Sequence, residues 1–475
     1  MPHSHGPTTP LPPGSHAAAT WTIPADYGGM TSALLRRSRA FVAEGGVPVR
    51  VLTFSPDLDL EATRRLLEER GELVPGVTLH NVWHDLCELS DERLAGHGDR
   101  LADLPRAEPG ERVRVESGPG GETVRQLHFR ADGTLAVVDE RTERRITTYT
   151  RDGRPGRTWG SARALYRSWL DDVLPERPAY VVVDSKSLVK FFASLRRPNL
   201  HTAHLVHGAH LSAKAVDAHG PLTAARTPLV EHLDDFDAVV FLTEGQRRDV
   251  VDRVGERAHT YVVPNSTDLP DGPVPPHEDR YRGAVLASLH GRKRVGQAVA
   301  GIERARRSTG LDLTLDVYGD GPERERVRAR AAKVPGITLH GFVRGAADRL
   351  AEASFLLLTS RAEGLPLVFA EAMSRGCVPI AYDIRYGPAD IITDGVDGFL
   401  VPDGDVDALA AAIERFVTLD DDAVRRMREA AVATAQGYSD AAVVSRWAAV
   451  LEDVRHRRRP TWRGRLAGML RRAPR

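Results

Sequence analysis

Two glutamates, Glu363 and Glu371, lie eight residues apart in the segment SRAEGLPLVFAEAMSRG. The apolar run SFLLLT comes directly before this segment and predicts a strand, and Pro366 suits the first turn of a following helix. The free amides of Gly364 and Leu365, with the dipole of that helix, predict an anion site. A nucleotide-sugar diphosphate would fit there, with Glu371 accepting hydrogen bonds from ribose hydroxyls and Glu363 contacting the sugar. The alternative is that both acids only cap the helix.

A short basic turn, HGRKR, joins a predicted strand to a helix predicted to begin near Val295. Lys293 with Arg292 or Arg294 could bind phosphates and neutralise a departing diphosphate. Cations at a helix start oppose the helix dipole, so they favour an anionic ligand there. The alternative is a solvated basic helix start, and the sequence leaves open which arginine acts with Lys293.

Two histidines follow a predicted strand in LVHGAH. Ligands of open α/β sheets bind beyond the carboxyl ends of the strands, which favours a binding role for His210, or alternatively for His207. A neutral histidine or its backbone carbonyl could stabilise positive charge on a sugar ring as a leaving group departs. A lone histidine is otherwise more often structural.

The composition excludes several classes of function. The 475 residues include 65 basic and 65 acidic side chains, so the net charge is zero and nucleic acid is not expected as a partner. Cys87 and Cys377 are too few for a disulfide framework or a zinc cage. Asp57 and Asp59 form a DLD string, but acids are expected at the start of the helical stretch that follows, so no metal site is predicted.

Short apolar runs alternate with helical stretches, which is typical of an α/β protein with parallel sheets. Between about residues 105 and 160 the pattern changes to polar–apolar alternation broken by turns, which predicts an antiparallel β insertion. Residues 405–457 are expected to be helical, with a break near Gly437. Two doubly wound, Rossmann-like domains facing a cleft explain this order most simply, and the cleft is then the expected ligand site.

The domain organisation follows from these patterns and from a Pro- and Gly-rich stretch near the middle of the chain. The histidines of the N-terminal stretch, His3, His5 and His16, could bind a metal, although an arm without a ligand is expected. The predicted segments are a disordered arm (1–19), an N-terminal acceptor-side domain (20–263) whose first strand is Thr20–Ile23, a linker (264–282), a C-terminal nucleotide-sugar-binding domain (283–437), a C-terminal helix that crosses back (438–457) and a basic tail (458–475).

Glu363 and Glu371 match the E-x7-E signature of retaining glycosyltransferases of family 4, and the chain resembles these enzymes over most of residues 20–455. The resemblance extends through DVYGDGPERERV, HGFV and RYGPADIITDGVDGFLVP. The last of these, with HGAHLSAKAVDAHGPL and the β insertion, is most similar to the poly(glycerol-phosphate) α-glucosyltransferase branch. The resemblance implies the two-domain GT-B fold and retaining transfer from a nucleotide sugar, which is expected to be UDP-linked.

The resemblance also implies roles for further residues. His210 matches the family histidine that contacts the donor sugar near the reacting carbon. Gly29, in ADYGGMTSAL, matches a glycine of the donor site. The loop that cradles the base maps onto Gly341–Arg344, which contains the candidates Val343 and Arg344.

One position departs from the family pattern. Family members usually carry an arginine five residues before Lys293, where this chain has Ser288, so Arg292 or Arg294 is expected to supply the missing charge. The resemblance implies that cations and helix dipoles act in place of a metal, so no metal or other cofactor is expected beside the UDP-sugar. It also implies front-face attack by the acceptor hydroxyl, with no protein nucleophile.

The sequence therefore predicts a hexosyltransferase that moves glucose or N-acetylglucosamine to a hydroxyl of a teichoic-acid-type polyol phosphate, a cell-surface glycan or a protein. Two alternatives stay open, a non-catalytic GT-B-like subunit of a glycosylation complex and a nucleotide-sugar epimerase. No signal peptide or membrane span is predicted, so a cytoplasmic location is expected. Residues 455–475 contain nine arginines and no acid, which indicates peripheral contact with an anionic membrane or polymer, or else a disordered basic end.

Overall fold

The computed structural model describes residues 10–457 except residues 95, 98, 102, 213, 214, 216, 258, 271, 273 and 275–278. Its strands are β1 (Ser15–Thr20), β2 (Val49–Thr53), β3 (Val77–Asn81), β4 (Val113–Ser117), β5 (Thr123–Phe129), β6 (Leu135–Glu140), β7 (Arg145–Tyr149), β8 (Pro155–Trp159), β9 (Ala179–Val183), β10 (Leu200–Val206), β11 (Ala238–Phe241), β12 (Thr260–Val262), β13 (Arg282–Leu286), β14 (Thr314–Tyr318), β15 (Ile337–Gly341), β16 (Phe355–Leu358), β17 (Val378–Asp383) and β18 (Phe399–Pro402). Its α-helices are α1 (Gly29–Ala43), α2 (Leu60–Glu69), α3 (Val82–Cys87), α4 (Asp91–Leu94), α5 (Ala162–Val173), α6 (Val189–Ala193), α7 (Thr227–Glu231), α8 (Glu244–Val254), α9 (Val295–Thr309), α10 (Arg324–Ala331), α11 (Val368–Met373), α12 (Pro388–Ile391), α13 (Val406–Val417), α14 (Asp421–Gln436) and α15 (Asp440–His456).

The strands form two parallel sheets and one antiparallel sheet. The first sheet has the order β12-β11-β10-β9-β1-β2-β3, and β1 pairs in parallel with both β2 and β9. The second has the order β15-β14-β13-β16-β17-β18, with parallel pairing throughout. Strands β4 to β8 form an antiparallel meander, which confirms the predicted insertion and the α/β fold class.

The central strands of the second sheet are buried on both faces, which is why they are continuous apolar runs in the sequence. Strand β16 reads FLLL and is buried at all four positions. Helix α9 buries one side, including Ala298, Val299 and Ile302, and it packs closely with α13. Gly301 permits this approach, since a Cβ there would lie 2.9 Å from the Leu409 side chain. The packing fixes α9, and therefore the turn at its start, against the sheet.

The chain divides into two compact units. The N-terminal unit comprises Leu11–His204, His232–Asp237 and the described residues from Leu451 to Arg457. The C-terminal unit comprises Leu205–Glu231 and Ala238–Val450. Strands β11 and β12 belong to the first sheet, as the predicted first domain requires, but together with helix α8 they fall in the same compact unit as the second sheet.

Specific contacts explain this grouping. The backbone N of Gly245 donates to Asp390 Oδ1 at 2.8 Å, and the Tyr386 hydroxyl donates to Asp249 Oδ2 at 2.6 Å. Both bonds tie α8 to the segment that follows β17. They join residues more than 130 positions apart (145 and 137), which no local sequence pattern reports.

The predicted linker, 264–282, is partly buried. Ser266 and Thr267 are buried, and the Thr267 N donates to Tyr438 O at 2.9 Å. Arg282 already belongs to β13. The Pro-rich composition therefore predicts the irregular backbone correctly. The expectation of a freely solvated linker is wrong.

The N-terminal arm was predicted too long, because β1 lies within residues 1–19 and begins five residues before the predicted strand. All six residues of β1 are buried. His16 is buried there, with its ring stacked on Tyr180 at 5.0 Å, so it is a core residue and not an arm ligand. Small alanines between β2 and β9 give this strand little apolar signal. His3 and His5 lie outside the described residues.

Helix ends also differ from prediction. Helix α11 covers six residues and is shorter than the helix expected from Pro366. The predicted break near Gly437 is present between α14 and α15, but a second break separates α13 from α14, where the Asp420 side chain caps α14. The basic residues from 458 onward lie outside the described part of the chain.

Candidate active site

The basic turn before α9 is a 3₁₀ turn, Gly291–Lys293, and Arg294 follows it with a left-handed φ of 49°. The Arg294 guanidinium donates to Thr359 O at 2.7 Å and to Ser360 O at 2.6 Å, and it pairs with Asp403. These contacts tie the start of α9 to the end of β16. The Arg294 guanidinium is therefore occupied by structural contacts.

Lys293 and Glu363 meet directly, as their flanking strands β13 and β16 are neighbours in the sheet. Lys293 Nζ donates to Glu363 Oε1 at 2.5 Å, and the two side chains are only 17% and 10% exposed. Arg292 Nη1 lies 3.9 Å from Glu363 Oε2, and its side chain is 58% exposed. The carboxylate thus lies between two cations, and the three groups together carry a formal charge of +1.

The loop that carries Glu363 is held on two sides. The Tyr386 N donates to Glu363 O at 3.1 Å, and the Glu363 N donates to Arg385 O at 3.4 Å. On the other side Gly364 packs against the backbone of His207, where a Cβ on Gly364 would lie 2.4 Å from the carbonyl oxygen. Only glycine fits this position, so the loop brings the LVHGAH segment next to Glu363.

His210 is fully buried, and its ring stacks on Tyr386 with centroids 5.8 Å apart and planes within 10°. Within the described part of the chain, neither ring nitrogen has a hydrogen-bond partner. Burial lowers the pKa of His210 to about 4, opposed by the nearby Asp249 carboxylate. The imidazole is therefore neutral at pH 7.

Tyr386 and Asp249, which the sequence analysis missed, support this histidine. Asp249 accepts from the Tyr386 hydroxyl at 2.6 Å and lies 3.1 Å from Arg385 Nε. Burial, together with the hydrogen bond to Asp249, raises the pKa of Tyr386, which keeps the hydroxyl protonated as a donor. The pair fixes the ring on which His210 stacks.

Glu371 lies on α11, eight residues after Glu363. Thr267 Oγ1 donates to Glu371 Oε1 at 3.5 Å, and the Thr267 backbone is anchored to Tyr438. The Glu371 backbone carbonyl accepts from Ser374 Oγ at 2.9 Å. Thr267 lies in the predicted linker, 264–282, whose composition gave no sign of a contact with Glu371.

The other residues predicted for the donor site are Leu365, Val343, Arg344 and Gly29. Leu365 is partly buried against the core of the C-terminal unit. Val343 and Arg344 follow β15, next to Phe342, whose side chain is 78% exposed. Gly29 is the first residue of α1 in the N-terminal unit, with open space where a Cβ would stand. Their assignments to the donor site stay predictions.

The described residues contain neither a cluster of metal ligands nor a membrane-spanning helix. No group of three or more His, Cys, Asp or Glu side chains there could hold a metal ion. The predicted helix start at the DLD string is correct, since Asp59 accepts from the Ala62 N at 2.9 Å and caps α2. No helix in the described residues is long and apolar enough to cross a membrane.

The C-terminal unit therefore has cations after β13, a mostly buried carboxylate after β16 and a second carboxylate on α11, at one end of a parallel sheet. The two parallel sheets with the antiparallel insertion are those of a GT-B fold. Residues 282–418 match the family described as glycosyl transferases group 1. The stretch is a group 1 glycosyltransferase domain, and the chain is a glycosyltransferase.

Known proteins extend this similarity beyond the domain. The poly(glycerol-phosphate) alpha-glucosyltransferase of Bacillus subtilis is 22% identical over 505 residues, covering 91% of this chain and 74% of the relative. An exopolysaccharide phosphotransferase of Streptomyces coelicolor is 31% identical over 240 residues, which are 49% of this chain and 25% of the relative. The crystal structure of a mutant of S. aureus TarM with Fondaparinux, alpha-GlcNAc-glycerol and UDP superposes with a TM-score of 0.69 at 16% identity, covering 92% of this chain and 99% of that chain.

Proposed function

We propose that the chain transfers glucose or N-acetylglucosamine from a UDP-sugar to a hydroxyl of a polyol-phosphate acceptor of the teichoic-acid type, with retention of anomeric configuration. The similarity to the Bacillus subtilis glucosyltransferase and to the UDP-bound TarM structure supports these substrate classes. The contact of Lys293 with Glu363 carries the proposal, because it joins a cation suited to a diphosphate and a carboxylate suited to a sugar hydroxyl.

The donor diphosphate binds beside Lys293 and Arg292 in this mechanism. Lys293 exchanges its bond to Glu363 for a phosphate oxygen, and the exposed Arg292 side chain supplies the second cation. Arg294 stays with the carbonyls that it holds. As the bond between the sugar C1 and the phosphate oxygen breaks, negative charge grows on the diphosphate, and fixed cations stabilise it.

The sugar lies between Glu363 and His210. Once Lys293 has turned to the phosphate, the Glu363 carboxylate accepts a hydrogen bond from a sugar hydroxyl. His210 is neutral, because burial holds its pKa at about 4, so it adds no positive charge beside a ring that becomes cationic. The acceptor oxygen bonds to C1 on the face that the phosphate leaves, and the acceptor proton passes to the departing phosphate oxygen.

In this proposal the ribose and the base of the nucleoside are bound at two places. Glu371 accepts from the ribose hydroxyls, and Thr267 keeps its carboxylate in place. Val343 and Arg344, after β15, contact the base through backbone groups. Gly29, at the start of α1, is proposed as a further donor-site residue, because glycine allows a phosphate to lie close to its backbone.

The test is incubation with UDP-glucose or UDP-N-acetylglucosamine, with and without poly(glycerol phosphate), followed by mass spectrometry. Transfer predicts release of UDP and acceptor chains heavier by whole hexose units. A changed free sugar nucleotide would instead identify an epimerase. Binding of UDP without turnover on any polyol-phosphate, glycan or protein acceptor would identify a non-catalytic subunit.

We also propose that the reaction needs no metal, since Lys293 and Arg292 provide the positive charge at the diphosphate. Activity should be unchanged in EDTA at concentrations that remove Mg²⁺ and Mn²⁺. Loss of activity in EDTA that Mg²⁺ or Mn²⁺ restores would contradict this part of the mechanism.

The arginine-rich segment 455–475 supports a further proposal, peripheral contact with an anionic membrane surface. The full chain should sediment with vesicles of anionic phospholipid, and not with neutral ones, and salt should reverse the binding. Equal sedimentation with both vesicles would contradict it.

A further inference from the structure

A cavity of about 660 Å³ lies on the C-terminal unit, between α9 and α10. Helix α10 and the residue after its C-cap line one side with Arg326, Arg330 and Lys333. Arg361 reaches the same cavity from the loop after β16. Neither Lys293 nor the mostly buried Glu363 is among the lining residues, although Gly291 and Arg294 of the same turn are. The cavity, here called the basic groove, therefore adjoins the turn that carries Lys293 but is not lined by Lys293 itself.

The acids of the basic groove are already neutralised. Glu323 pairs with Arg326 at 3.0 Å, and Glu303 pairs with Arg307 at 3.0 Å. Arg294, a further lining residue, is neutralised by Asp403.

Three cations of the groove are left over. Arg330, Lys333 and Arg361 have no ion-pair partner among the residues that the structure describes. Unpaired cations that share one cavity attract an anion more strongly than the same charges spread over a surface. The excess charge of the lining is the first sign of an anionic ligand.

The start of α9 adds to this field. Val295, Gly296 and Gln297 line the groove, and the first turn of this 15-residue helix contains no acid. The Arg330 side chain lies over the helix start, with its Cδ 3.7 Å from where a Gly296 Cβ would stand. The positive end of the helix dipole and three unpaired cations thus act on the same space.

A second, independent feature indicates a hydroxyl-bearing ligand. The buried Gln297 Oε1, on the groove wall, has no hydrogen-bond partner in the described residues. A buried amide oxygen without a donor is unfavourable, so it favours a ligand that brings one. The groove can therefore bind an anion and accept a hydrogen bond from a hydroxyl.

We infer that the basic groove binds a phosphodiester of the acceptor chain, one or more units away from the hydroxyl that receives the sugar. The inference rests on the proposed function, because a polyol-phosphate chain presents phosphates and hydroxyls in alternation. Arg361 links the groove to the reaction site, since it lies two residues before Glu363 and its N donates to Arg292 O at 2.9 Å. UDP is the other source of phosphate, and the experiment separates the two.

The test compares acceptor lengths in charge-reversal variants. Arg330→Glu and Lys333→Glu should each lower kcat/KM for long poly(glycerol phosphate) about five- to tenfold at low salt, and less as salt screens the charges. Turnover of an acceptor with a single glycerol phosphate should change less than about twofold, because so short an acceptor cannot reach the basic groove and the reaction site together. The KM for the UDP-sugar should stay constant. Arg426→Glu, on the exposed face of α14, is the control with the same charge change.

The outcomes distinguish the two proposals. Wild-type transfer to long chains with an unchanged long-to-short ratio in both variants would overturn the groove assignment alone. A raised KM for the UDP-sugar would show that the groove binds the donor, and this result would also overturn the groove assignment. Wild-type transfer to other hydroxyl acceptors, but to no polyol phosphate of any length, would refute the proposed acceptor and the groove ligand together. Unchanged affinity for UDP in each variant shows that the site is still folded.

Discussion

Replacement of Lys293 by alanine should weaken UDP binding more than any other single change in the site. The substitution removes the cation that we assign to the diphosphate. It also leaves Glu363, which is 10% exposed, without its 2.5 Å partner, so a carboxylate paired only with the more distant Arg292 then faces the phosphates. Both effects act against binding of an anion.

The size of the effect follows from these contacts. A hydrogen bond to a charged group contributes about 1.5–3 kcal/mol, and 1.4 kcal/mol corresponds to a tenfold change in affinity. Loss of Lys293 should therefore raise the Kd for UDP about 10- to 150-fold. The increase should lie near the upper end of this range, because the Glu363 carboxylate then repels the phosphates. Glu363→Gln should leave UDP binding largely intact, because it frees Lys293, and should lose turnover.

Titration calorimetry with UDP on Lys293→Ala, Glu363→Gln and the double variant measures these values. The double variant should bind UDP more tightly than Lys293→Ala, because the repelling charge is gone. Lys190→Ala, an exposed lysine on α6 of the N-terminal unit, is the control and should bind as wild type does. Equal Kd values for Lys293→Ala and wild type would refute the assignment of Lys293 to the diphosphate.

Three further predictions concern stability and the nucleoside. Burial lowers the pKa of His210 to about 4 and that of His128 to about 3. The unfolded chain takes up these protons below about pH 6.5 while the folded chain does not, so the free energy of unfolding should fall on acidification from pH 6.5 to 4, by at most about 1.4 kcal/mol per pH unit for each histidine. Denaturant titrations at several pH values measure the slope, and His128→Phe should flatten it; an unchanged slope would contradict the burial argument. Gly364→Ala should lower Tm and abolish turnover, because its Cβ would lie 2.4 Å from a backbone carbonyl oxygen, whereas Gly160→Ala, with open space around it, should do neither. Thr267→Val should raise the KM for the UDP-sugar about threefold to tenfold with little change in kcat, since it removes a hydrogen bond from the carboxylate assigned to the ribose; a loss in kcat alone would place this threonine elsewhere in the mechanism.

Much of the second sheet could be predicted because its central strands are buried on both faces. Runs such as FLLL of β16 and VPIAYD of β17 can be predicted as strands because they are apolar. The turn with Lys293 and the loop with Glu363 follow strands that prove to be neighbours, so two local patterns combined into one site. The alternation of polar and apolar residues predicted the antiparallel insertion equally well.

Other parts of the site depend on contacts between distant segments. The support of His210 by Tyr386 and Asp249 joins three segments, and the buried Thr267 lies in a stretch whose composition indicates a linker. The sequence marked the left-handed Arg294 by its charge alone, and the carbonyl oxygens that it contacts, just after β16, became visible only in the fold. Pairwise tertiary contacts of this kind leave no periodic signal in a sequence.

The stereochemistry of transfer tests the central claim most directly. With UDP-α-glucose and a poly(glycerol phosphate) acceptor, proton NMR of the isolated product should show an α-glucoside, as front-face attack beside Lys293 and Glu363 requires. A β-glucoside would contradict the account, because inversion needs attack from the opposite face and a protein base that the mechanism does not contain.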